Sequence, residues 1–453
     1  MADPSSGRPV ARTRGTGGSF PTGPTAVAPI PRGAQSSVSV APSQRSAITL
    51  ALLAAVFAVH FLDRQLIAIL IPPIQAELGL SDTAMGLLSG LAFTVFFSTI
   101  GLAIARVADR ADRGRIITGC VVIFSIMTAL CGAATTFWQL LLARIGVGAG
   151  EGGTNPASHS LIADTFPLQR RATAMAVYGM GPNLGVIVAF GIGGWLAQTV
   201  GWRYAFFAAG ILGLVVAVAT RIGLRDPRGP PTAGPGVARP SSAEVARAIL
   251  RSPTLRQLFA AATLSNAAAV AMVTWLPALL TRAHGLTLAE AGVFLALVLG
   301  VLGAAGTYLC GRAADRVSVS DPRRKLYFLA ILHVVLAVPL SFALHVEGRT
   351  ACLMLLVVPC ALGAGFIGPS LALVQGVVDP RARAFSAAIL LFFVNLLGAG
   401  LGPLALGALS DRLVAAYGTQ SLRYAMLVVP VLCLWAACHY QRASRTLVRE
   451  LCD

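Results

Sequence analysis

Twelve apolar stretches of about 20 residues or more follow one another along this chain, and they restrict its possible folds more than any other feature. A helix of about 20 apolar residues is long enough to cross the hydrocarbon core of a bilayer. Membrane strands are short and alternate apolar with polar residues, whereas these stretches are long and continuous. We therefore predict an all-α membrane protein with twelve transmembrane helices. The spans are expected near residues 46–72, 83–107, 115–135, 137–163, 172–198, 203–222, 257–281, 288–311, 326–345, 351–376, 384–409 and 424–441.

The charge of the chain is distributed as in a membrane protein rather than in a protein that binds nucleic acid. Of the 453 residues, 12% are charged and the net charge is +17, whereas soluble proteins carry about 25% charged residues. With the N-terminus inside, most basic residues fall in cytoplasmic segments, which is the positive-inside distribution. The exceptions are Arg64 and Arg144 within spans, and Arg203, Arg282, Arg349, Arg412 and Arg423 outside.

This distribution predicts a multi-pass protein of a bacterial inner membrane with both termini in the cytoplasm. Arg is used almost exclusively as the basic residue, with Lys325 as the single lysine, which is typical of a GC-rich bacterial genome. We expect the basic loops to contact anionic membrane lipids and not nucleic acid.

Two polar segments divide the chain into regions. Residues 1–45 and the Pro-rich segment 223–255 are too polar to form an apolar core. We therefore predict a disordered cytoplasmic tail (1–45), an N-terminal six-helix bundle (46–222), a cytoplasmic linker (223–255), a C-terminal six-helix bundle (256–442) and a short cytoplasmic tail (443–453).

The two bundles carry matching landmarks in the same order. Asp109 corresponds to Asp315, Arg170–Ala174 to Arg381–Ala384, and Trp202–Ala205 to Leu422–Ala425. Parallel six-helix repeats around a central cavity are typical of transporters that work by alternating access. The repeats therefore predict two pseudo-symmetric bundles and a secondary transporter.

Four charges lie inside otherwise apolar helices. Asp63 and Arg64 interrupt the first span, and Arg144 and Glu151 interrupt the fourth. A charge near the bilayer centre costs about 2.5–3.5 kcal/mol even on the mildest insertion scale, so such residues usually line a cavity and serve a function. Helical spacing puts Asp63 and Arg144 at similar depth and Glu151 two turns further in. The alternative is a static buried ion pair.

Uncharged polar residues near the same depth are candidates for the cavity wall. On the first and fourth spans these are His60, Asn155 and His159, which would continue the faces of the charged residues. In the second half, which carries no charge at midspan, they are Asn266, Thr274, Trp275, Gln375 and Asn395. Each could instead make a hydrogen bond between helices.

The loop after the second span, Asp109–Arg115, concentrates charges at a cytoplasmic helix end. We predict a gating loop in which Asp109, Arg110, Arg113 and Arg115 take part, with Gly311, Asp315 and Arg316 as its second-half counterpart. The alternative is that these charges only fix the orientation of the chain in the membrane.

The sequence gives no support for an enzyme, a cofactor or a metal site. The eight cysteines are mostly scattered within apolar spans, without a Cys-x-x-Cys pair or a Cys/His cluster. The glycine-rich run Gly146–Gly153 does not follow a strand, so it is not a dinucleotide loop. Its glycines are expected to let a neighbouring helix pass close to Glu151. We expect a monomer.

The repeat signatures resemble those of the major facilitator superfamily over almost all of 46–442. More narrowly, the chain resembles bacterial spinster-like transporters, which are related to animal carriers of sphingosine phosphate and lysophospholipids. The residues that carry this resemblance are Phe61–Gln65, Gly79–Asp82, Trp138–Gly148, Glu151, Pro156, Ser158–Ile162, Asp164, Arg170–Ala174 and Gly201–Arg203. The resemblance implies that Asp63 and Glu151 couple transport to protons, with Arg64 and Arg144 as their partners. One departure is Ala105, where the superfamily loop usually has glycine.

We therefore predict a proton-coupled secondary active transporter of an amphipathic lipid-like or organic anion. The arginines would attract the anionic headgroup once protonation releases them from the acids. One alternative is a symporter of organic anions or sugar acids from the same superfamily. Another is a lipid sensor on the same fold that binds without transporting.

Overall fold

The computed structural model describes residues 44–108, 111–227, 247, 249–378 and 382–452, and the chain in these ranges forms helices without any strand. The first helices are α1 (Gln44–Leu78), α2 (Asp82–Gly86), α3 (Ala92–Ala108), α4 (Arg113–Ala133), α5 (Phe137–Glu151), α6 (Thr154–Thr165), α7 (Leu168–Tyr178), α8 (Gly181–Ile187), α9 (Gly193–Thr199) and α10 (Trp202–Gly223). The later helices are α11 (Pro253–His284), α12 (Leu288–Leu295), α13 (Gly303–Val317), α14 (Arg323–Ala343), α15 (Arg349–Leu362), α16 (Ile367–Val377), α17 (Arg383–Phe393), α18 (Gly400–Tyr417), α19 (Ser421–Ala425) and α20 (Val428–Cys452).

Four longer helices each contain one wider, π-helical turn. These turns lie between α2 and α3, α8 and α9, α12 and α13, and α17 and α18, so the chain runs through them without a loop. Their bounds are Leu87–Leu91, Val188–Ile192, Ala296–Leu302 and Val394–Ala399. A π-helical turn in the middle of a helix is frequently found at a functional site.

Ten helical stretches of the described chain are long and apolar enough to cross a membrane. The predicted spans 137–163 and 424–441 are not among the ten. The first is divided between α5 and α6, and the second belongs to α20, whose last turns carry charged residues. The all-helical class is therefore confirmed, while the number of twelve spans stays a prediction.

The predicted boundaries lie near the observed helix ends. Helix α1 begins at Gln44, and residues 1–43 lie outside the described ranges. Helices α10 and α11 end and begin at Gly223 and Pro253, close to the predicted linker, most of which is also outside those ranges. Helix α20 runs on to Cys452, so the C-terminal segment predicted as a tail continues the last helix.

A pair of glycines interrupts the helix that carries Arg144 and Glu151. Helix α5 ends at Glu151, and Thr154 opens α6 after Gly152 and Gly153. These glycines lie so close to α3 that a Cβ on Gly152 would come within 2.6 Å of the Phe97 carbonyl oxygen. Glu151 therefore lies at a helix end, tightly packed against α3.

Polar contacts join the two halves of the chain at one end of the molecule. The carboxylate of Asp82, which is almost fully buried, pairs with Arg282 of α11 at 2.9 Å and accepts a hydrogen bond from Ser410 of α18. Asp411 in turn accepts hydrogen bonds from the backbone amides of Asp82 and Thr83, at 3.0 and 2.8 Å. A carboxylate at the first amides of a helix is stabilising, so these contacts hold the two halves together at this end.

Candidate functional site

The four charges of the apolar helices form two ion pairs between α1 and α5. Arg144 Nη1 lies 2.6 Å from Asp63 Oδ2, and Arg64 Nε lies 2.8 Å from Glu151 Oε2. Adjacent residues of α1 thus bind residues of α5 that are two helical turns apart. Asp63, Arg144 and Glu151 are buried, whereas the Arg64 side chain is 19% exposed.

Threonines hold the acidic side of this cluster. Thr128 Oγ1 of α4 donates to the second oxygen of Asp63 at 2.6 Å. Thr154 Oγ1 donates to the Glu151 carbonyl oxygen at 2.8 Å and lies 3.2 Å from the ring nitrogen Nε2 of His60. Three helices around α1 therefore fix the cluster, and Asp63 has partners at both carboxylate oxygens.

A cavity of about 510 Å³ lies beside the ion pairs, between the first and second halves of the chain. Arg64 and Arg144 are the charged residues of its described wall, whereas the two acids lie behind them. Gln65, Ser89, Thr94 and Asn183 add polar groups from the first half, and Asn266, Thr274, Thr307 and Asn395 add polar groups from the second half. The cavity therefore has a cationic side.

Each of these arginines keeps donors that are not satisfied by the protein. The Nη2 atoms of Arg64 and Arg144 are buried and have no hydrogen-bond partner in the described chain, and neither does Glu151 Oε1. Buried polar groups in native proteins are nearly always paired, so such atoms usually mark a site that another group completes. Two guanidinium groups on the wall of one cavity can bind a carboxylate, phosphate or sulfate group.

The remaining wall is mostly apolar and comes largely from the second half of the chain. It includes residues of α11, the turn after α12, α15, the turn that joins α15 to α16, and α16. The apolar members from these elements are Ala269, Val270, Met272, Val273, Leu299, Ala364, Phe366 and Ile367. A largely apolar pocket with a few convergent polar groups is typical of a small-molecule site.

Three of the predicted wall residues in the second half, Asn266, Thr274 and Asn395, line this cavity. Asn266 donates from Nδ2 to the Val394 carbonyl oxygen at 2.8 Å, and Asn395 donates to Leu391 at the same distance. Each amide therefore braces a helix while its residue still contributes to the wall. Asn266 meets both alternatives at once, a cavity group and a hydrogen bond between helices, whereas the bond of Asn395 stays within its own helical stretch.

The structure places five other predicted wall residues elsewhere. His60 is buried against Thr154 and the ring of Phe124, and Trp275 is buried and donates to the Pro403 carbonyl oxygen at 3.0 Å. Gln375 is exposed but does not border this cavity. The predicted positions of these three residues on the cavity wall are corrected. His60 and Trp275 are satisfied by their neighbours instead, and Gln375 is exposed on another part of the surface.

Asn155 and His159 do not line the cavity either, and the helix break explains why. The sequence argument continued the face of Glu151 through an unbroken helix, but the chain turns at Gly152 and Gly153. As a result Asn155 accepts a hydrogen bond from the Tyr178 hydroxyl at 2.9 Å, and the His159 ring packs edge-on against the same tyrosine.

One arginine of the predicted gating loop is buried, and the sequence did not distinguish it from the exposed arginines of the loop. Asp109 and Arg110 lie outside the described residues. Arg113 is fully buried, pairs with Asp164 at 2.7 Å and also binds Asp226, so it joins the ends of three elements of the first half. Arg115 is 78% exposed and lies 3.9 Å from Asp112.

The second-half counterpart of this loop is more open. Asp315 pairs with Lys325 at 2.9 Å, and Arg316 is exposed at the end of α13. A Cβ added to Gly311 would have no neighbour within 4 Å, so no close helix contact requires glycine there. All these contacts stay within one half of the chain, so a role in gating remains a prediction.

Two phenylalanines of the site, Phe93 and Phe97, could not be singled out from the sequence. Phe61, Phe93 and Phe97 surround the guanidinium of Arg64, and Phe93 also faces that of Arg144. In the sequence, Phe93 and Phe97 are two apolar residues of an apolar span, identical in kind to those that face lipid. In the described ranges no group of three or more His, Cys, Asp or Glu residues could hold a metal ion.

Comparison with known proteins agrees with the all-helical membrane fold. A family model of the Major Facilitator Superfamily matches residues 53–403. An MFS-type efflux pump of Mycolicibacterium smegmatis is 36% identical over 409 residues, which cover 88% of this chain and 94% of that protein. A probable L-galactonate transporter of Escherichia coli is 30% identical over 62% of this chain and 64% of its own length.

Solved structures include a similar transporter. The crystal structure of a bacterial homologue of the human lysosomal transporter Spinster, inward-facing and unoccupied, superimposes with a TM-score of 0.80 at 27% identity. The match covers 90% of this chain and 98% of that one. The chain therefore belongs to the Major Facilitator Superfamily, and it is a multi-pass membrane transporter, similar to spinster-like proteins, and not an enzyme.

Proposed function

We propose that this transporter is a proton-coupled secondary active carrier of an amphipathic organic anion. The observation that carries the proposal is the arrangement of the two ion pairs, with both arginines on the cavity wall and both acids behind them. An anion in the cavity meets cations first, and a proton on either acid changes how firmly its arginine is held.

The anionic character of the substrate follows from the free donors. Arg64 Nη2 and Arg144 Nη2 are buried without a partner in the described chain. A carboxylate, phosphate or sulfate group that accepts from both would satisfy them, and hydrogen bonds between charged groups are about twice as strong as neutral ones. The volume of about 510 Å³ suits a small organic molecule.

The amphipathic character follows from the opposite wall. The second half of the chain contributes mostly apolar side chains, with amides and hydroxyls between them. An apolar tail gains from leaving water for such a wall, at about 25 cal/mol per Å² of buried surface. A sugar acid would need several hydrogen-bonding groups instead, and the similarity to a probable L-galactonate transporter makes sugar acids the second candidate.

The charge balance of the cluster supports the proposed proton coupling. While Asp63 and Glu151 are ionised, they hold Arg144 and Arg64 and attach α1 to α5. A proton on either carboxylate cancels its attraction and leaves the arginine with a net charge that the substrate anion can neutralise. Proton and anion therefore favour each other, and their joint binding shifts the balance between the two states of the carrier.

The same proposal includes twelve spans in two six-helix halves, with both termini in the cytoplasm of a bacterial inner membrane. Support comes from the four π-helical turns, which lie in the second, fifth, eighth and eleventh predicted spans. Two parallel repeats would place them in matching positions. A reporter that is active only in the cytoplasm, fused to either end, should be active, and inactivity at either end would contradict this orientation.

In that orientation the closed end at Asp82 and Arg282 faces outward, so the structure corresponds to an inward-facing state. This assignment is supported by the likeness to the inward-facing bacterial Spinster homologue. Alternating access then requires the Asp82 contacts to open while the opposite end closes.

Proteoliposomes with a pH gradient test the proposed coupling. The probes are 1-oleoyl-lysophosphatidate and L-galactonate, offered separately. Asp63→Asn and Glu151→Gln should each abolish accumulation driven by the gradient but retain exchange of probe across the membrane. Glu290→Gln is the control, since Glu290 is an exposed acid that pairs with Arg349 away from the cavity.

Several outcomes would overturn the proposal. Undiminished accumulation in both variants would exclude Asp63 and Glu151 as the coupling residues. Accumulation of galactonate but not of the lysolipid would favour the sugar-acid alternative. Binding of the lysolipid without exchange would favour a sensor over a carrier.

A further inference from the structure

Arg64 lies against three aromatic rings, those of Phe61, Phe93 and Phe97, which are here called the aromatic clamp. Its guanidinium carbon is 4.3 Å from the ring centroid of Phe97, 4.7 Å from that of Phe93 and 5.5 Å from that of Phe61. A cation within about 6 Å of a ring centroid is attracted by the ring's electron-rich face. Arg64 is therefore held by its ion pair and by the clamp.

Phe93 contacts both cations of the site. The guanidinium carbon of Arg144 lies 5.5 Å from the centroid of Phe93, the same ring that faces Arg64. The ring is nearly buried and still borders the cavity. One aromatic side chain thus lies between the two groups whose Nη2 atoms lack a partner in the described chain.

The local sequence builds this arrangement with glycines. Phe93 and Phe97 are four residues apart on α3, and their rings stack with centroids 5.5 Å apart and planes 17° apart. A Cβ on Gly148 of α5 would clash with the Phe93 carbonyl oxygen, and one on Gly152 would approach that of Phe97. The glycines therefore let α5 bring Arg144 and Glu151 against the clamp.

We propose that Phe93 is a positioning residue that keeps both guanidinium groups directed at the cavity when the acids are protonated. This inference rests on the proposed anion transport. A proton on Glu151 removes the charge that holds Arg64 at 2.8 Å. The attraction of the rings does not titrate, so it persists when the ion pair is lost and the anion must bind.

Other titratable groups lie around the aromatic clamp and its two arginines. On α1 these are His60 and Asp63, on α5 Arg144 and Glu151, on α4 Cys131, and on α7 Tyr178. Replacing Glu151 with glutamine mimics its protonated state at one fixed pH, so the test does not depend on how the other groups titrate.

The test is a fluorination series at position 93 in the full-length transporter. Fluorine atoms on the ring withdraw electron density and weaken its attraction for a cation with little change in size. Phenylalanine, 4-fluoro-, 3,5-difluoro- and 3,4,5-trifluorophenylalanine are incorporated at Phe93, with Glu151 and with Glu151→Gln. The same series at Phe190, a buried phenylalanine for which no cation contact is seen in the described chain, is the control.

Binding of 1-oleoyl-lysophosphatidate to the purified protein is the first measurement. In the Glu151→Gln protein, each added fluorine should weaken binding, by about threefold or more for the trifluoro ring. With Glu151 present the loss should be smaller, because the ion pair still holds Arg64. No dependence on fluorination at position 93, or a dependence equal to that at position 190, would overturn the inference.

Thermal unfolding without ligand separates this inference from the proposed function. Fluorination at position 93 should lower the unfolding temperature of the Glu151→Gln protein, and this effect should shrink when Arg64→Met is added, because only the attraction of Arg144 for the ring then remains. If the probe does not bind, the substrate class is wrong while the clamp is still tested by unfolding. Equal effects with Arg64 and with Arg64→Met would show that the ring does not hold Arg64, which would overturn the inference.

Discussion

Asp63 depends on two partners that come from different helices. One oxygen binds Arg144 of α5, and the other accepts the hydroxyl of Thr128 of α4 at 2.6 Å. Both partners are buried. If Asp63 lost one of them, a buried carboxylate oxygen would be left without a partner, which costs free energy. The position of this carboxylate is therefore a property of three helices together and not of α1 alone.

Replacing Thr128 with valine keeps the shape of the side chain and removes its donor. We expect Thr128→Val to lower stability by about 1–3 kcal/mol, because a buried carboxylate oxygen is left without a hydrogen bond. Thermal unfolding in detergent measures the loss. Thr99→Val is the matched control, since Thr99 is exposed and donates only to the carbonyl oxygen of Val95 in its own helix. An equal loss in both variants would contradict this role of Thr128.

At the level of residues, the sequence identified charges and missed their surroundings. Asp63, Arg64, Arg144 and Glu151 could be singled out because a charge in an apolar helix is rare and costly. Thr128 and Phe93 could not, since threonine commonly bonds to its own helix and phenylalanine commonly faces lipid or core. Their roles depend on which helix is the neighbour, which a single sequence does not contain.

Helix α5 approaches α3 more closely than ordinary side chains would allow. The glycines of the run Gly146–Gly153 lie against α3 and α4, and three of them have a backbone atom of a neighbouring helix at the place where a Cβ would be. The run therefore has the packing function that its glycine content predicts. What the sequence did not indicate is that the same run also ends the helix after Glu151.

Adding one methyl group should separate these helices. In Gly148→Ala the new Cβ meets the Phe93 carbonyl oxygen, a backbone atom that cannot rotate away. We expect a loss of about 1–3 kcal/mol, as for other overpacked sites, measured by thermal unfolding. Gly119→Ala in α4 is the control, because its Cβ would meet nothing within 4 Å. That variant should be unchanged or more stable by up to about 1 kcal/mol.

The opposite ranking of these two variants would contradict the packing argument. Equal behaviour would do so as well, because both changes add the same methyl group to a helical glycine. The comparison therefore isolates the contact with Phe93 from the general preference of helices for alanine over glycine.

The helix break at Gly152 marks the limit of arguments from periodicity. Arg144 and Glu151 are both in α5, and their spacing of two turns agrees with their pairing to adjacent residues of α1. Asn155 and His159 lie beyond the break, where the same period no longer applies, and they face Tyr178. The prediction was wrong where it assumed that an apolar span is one continuous helix.

At the scale of the molecule, membrane spans and superfamily follow from long apolar runs and repeated motifs, because both are local in sequence. Whether the carrier faces inward or outward does not follow from such local features. It depends on contacts such as that of Asp82 with Arg282, which are 200 residues apart and could equally be made or broken. A single sequence must encode both states, so it cannot indicate which contacts belong to one of them.

Breaking the contact between Asp82 and Arg282 should favour the opposite state of the carrier. In Arg282→Ala the buried carboxylate of Asp82 loses its cation, which matters only while this end is closed. Because Arg282 is partly exposed, we expect the closed form to lose about 1–2 kcal/mol, which corresponds to a rise of roughly tenfold in the open population.

Labelling of Thr307→Cys in an otherwise cysteine-free protein measures this opening, since Thr307 is an exposed residue on the cavity wall. A membrane-impermeant maleimide added outside intact cells should react faster when Arg282→Ala is present. Arg349→Ala is the matched control, because Arg349 pairs at 2.8 Å with Glu290, both are about half exposed, and both belong to the second half of the chain. Its loss should leave labelling unchanged, whereas equal rates in the two variants would mean that the Asp82 contact does not hold this end closed.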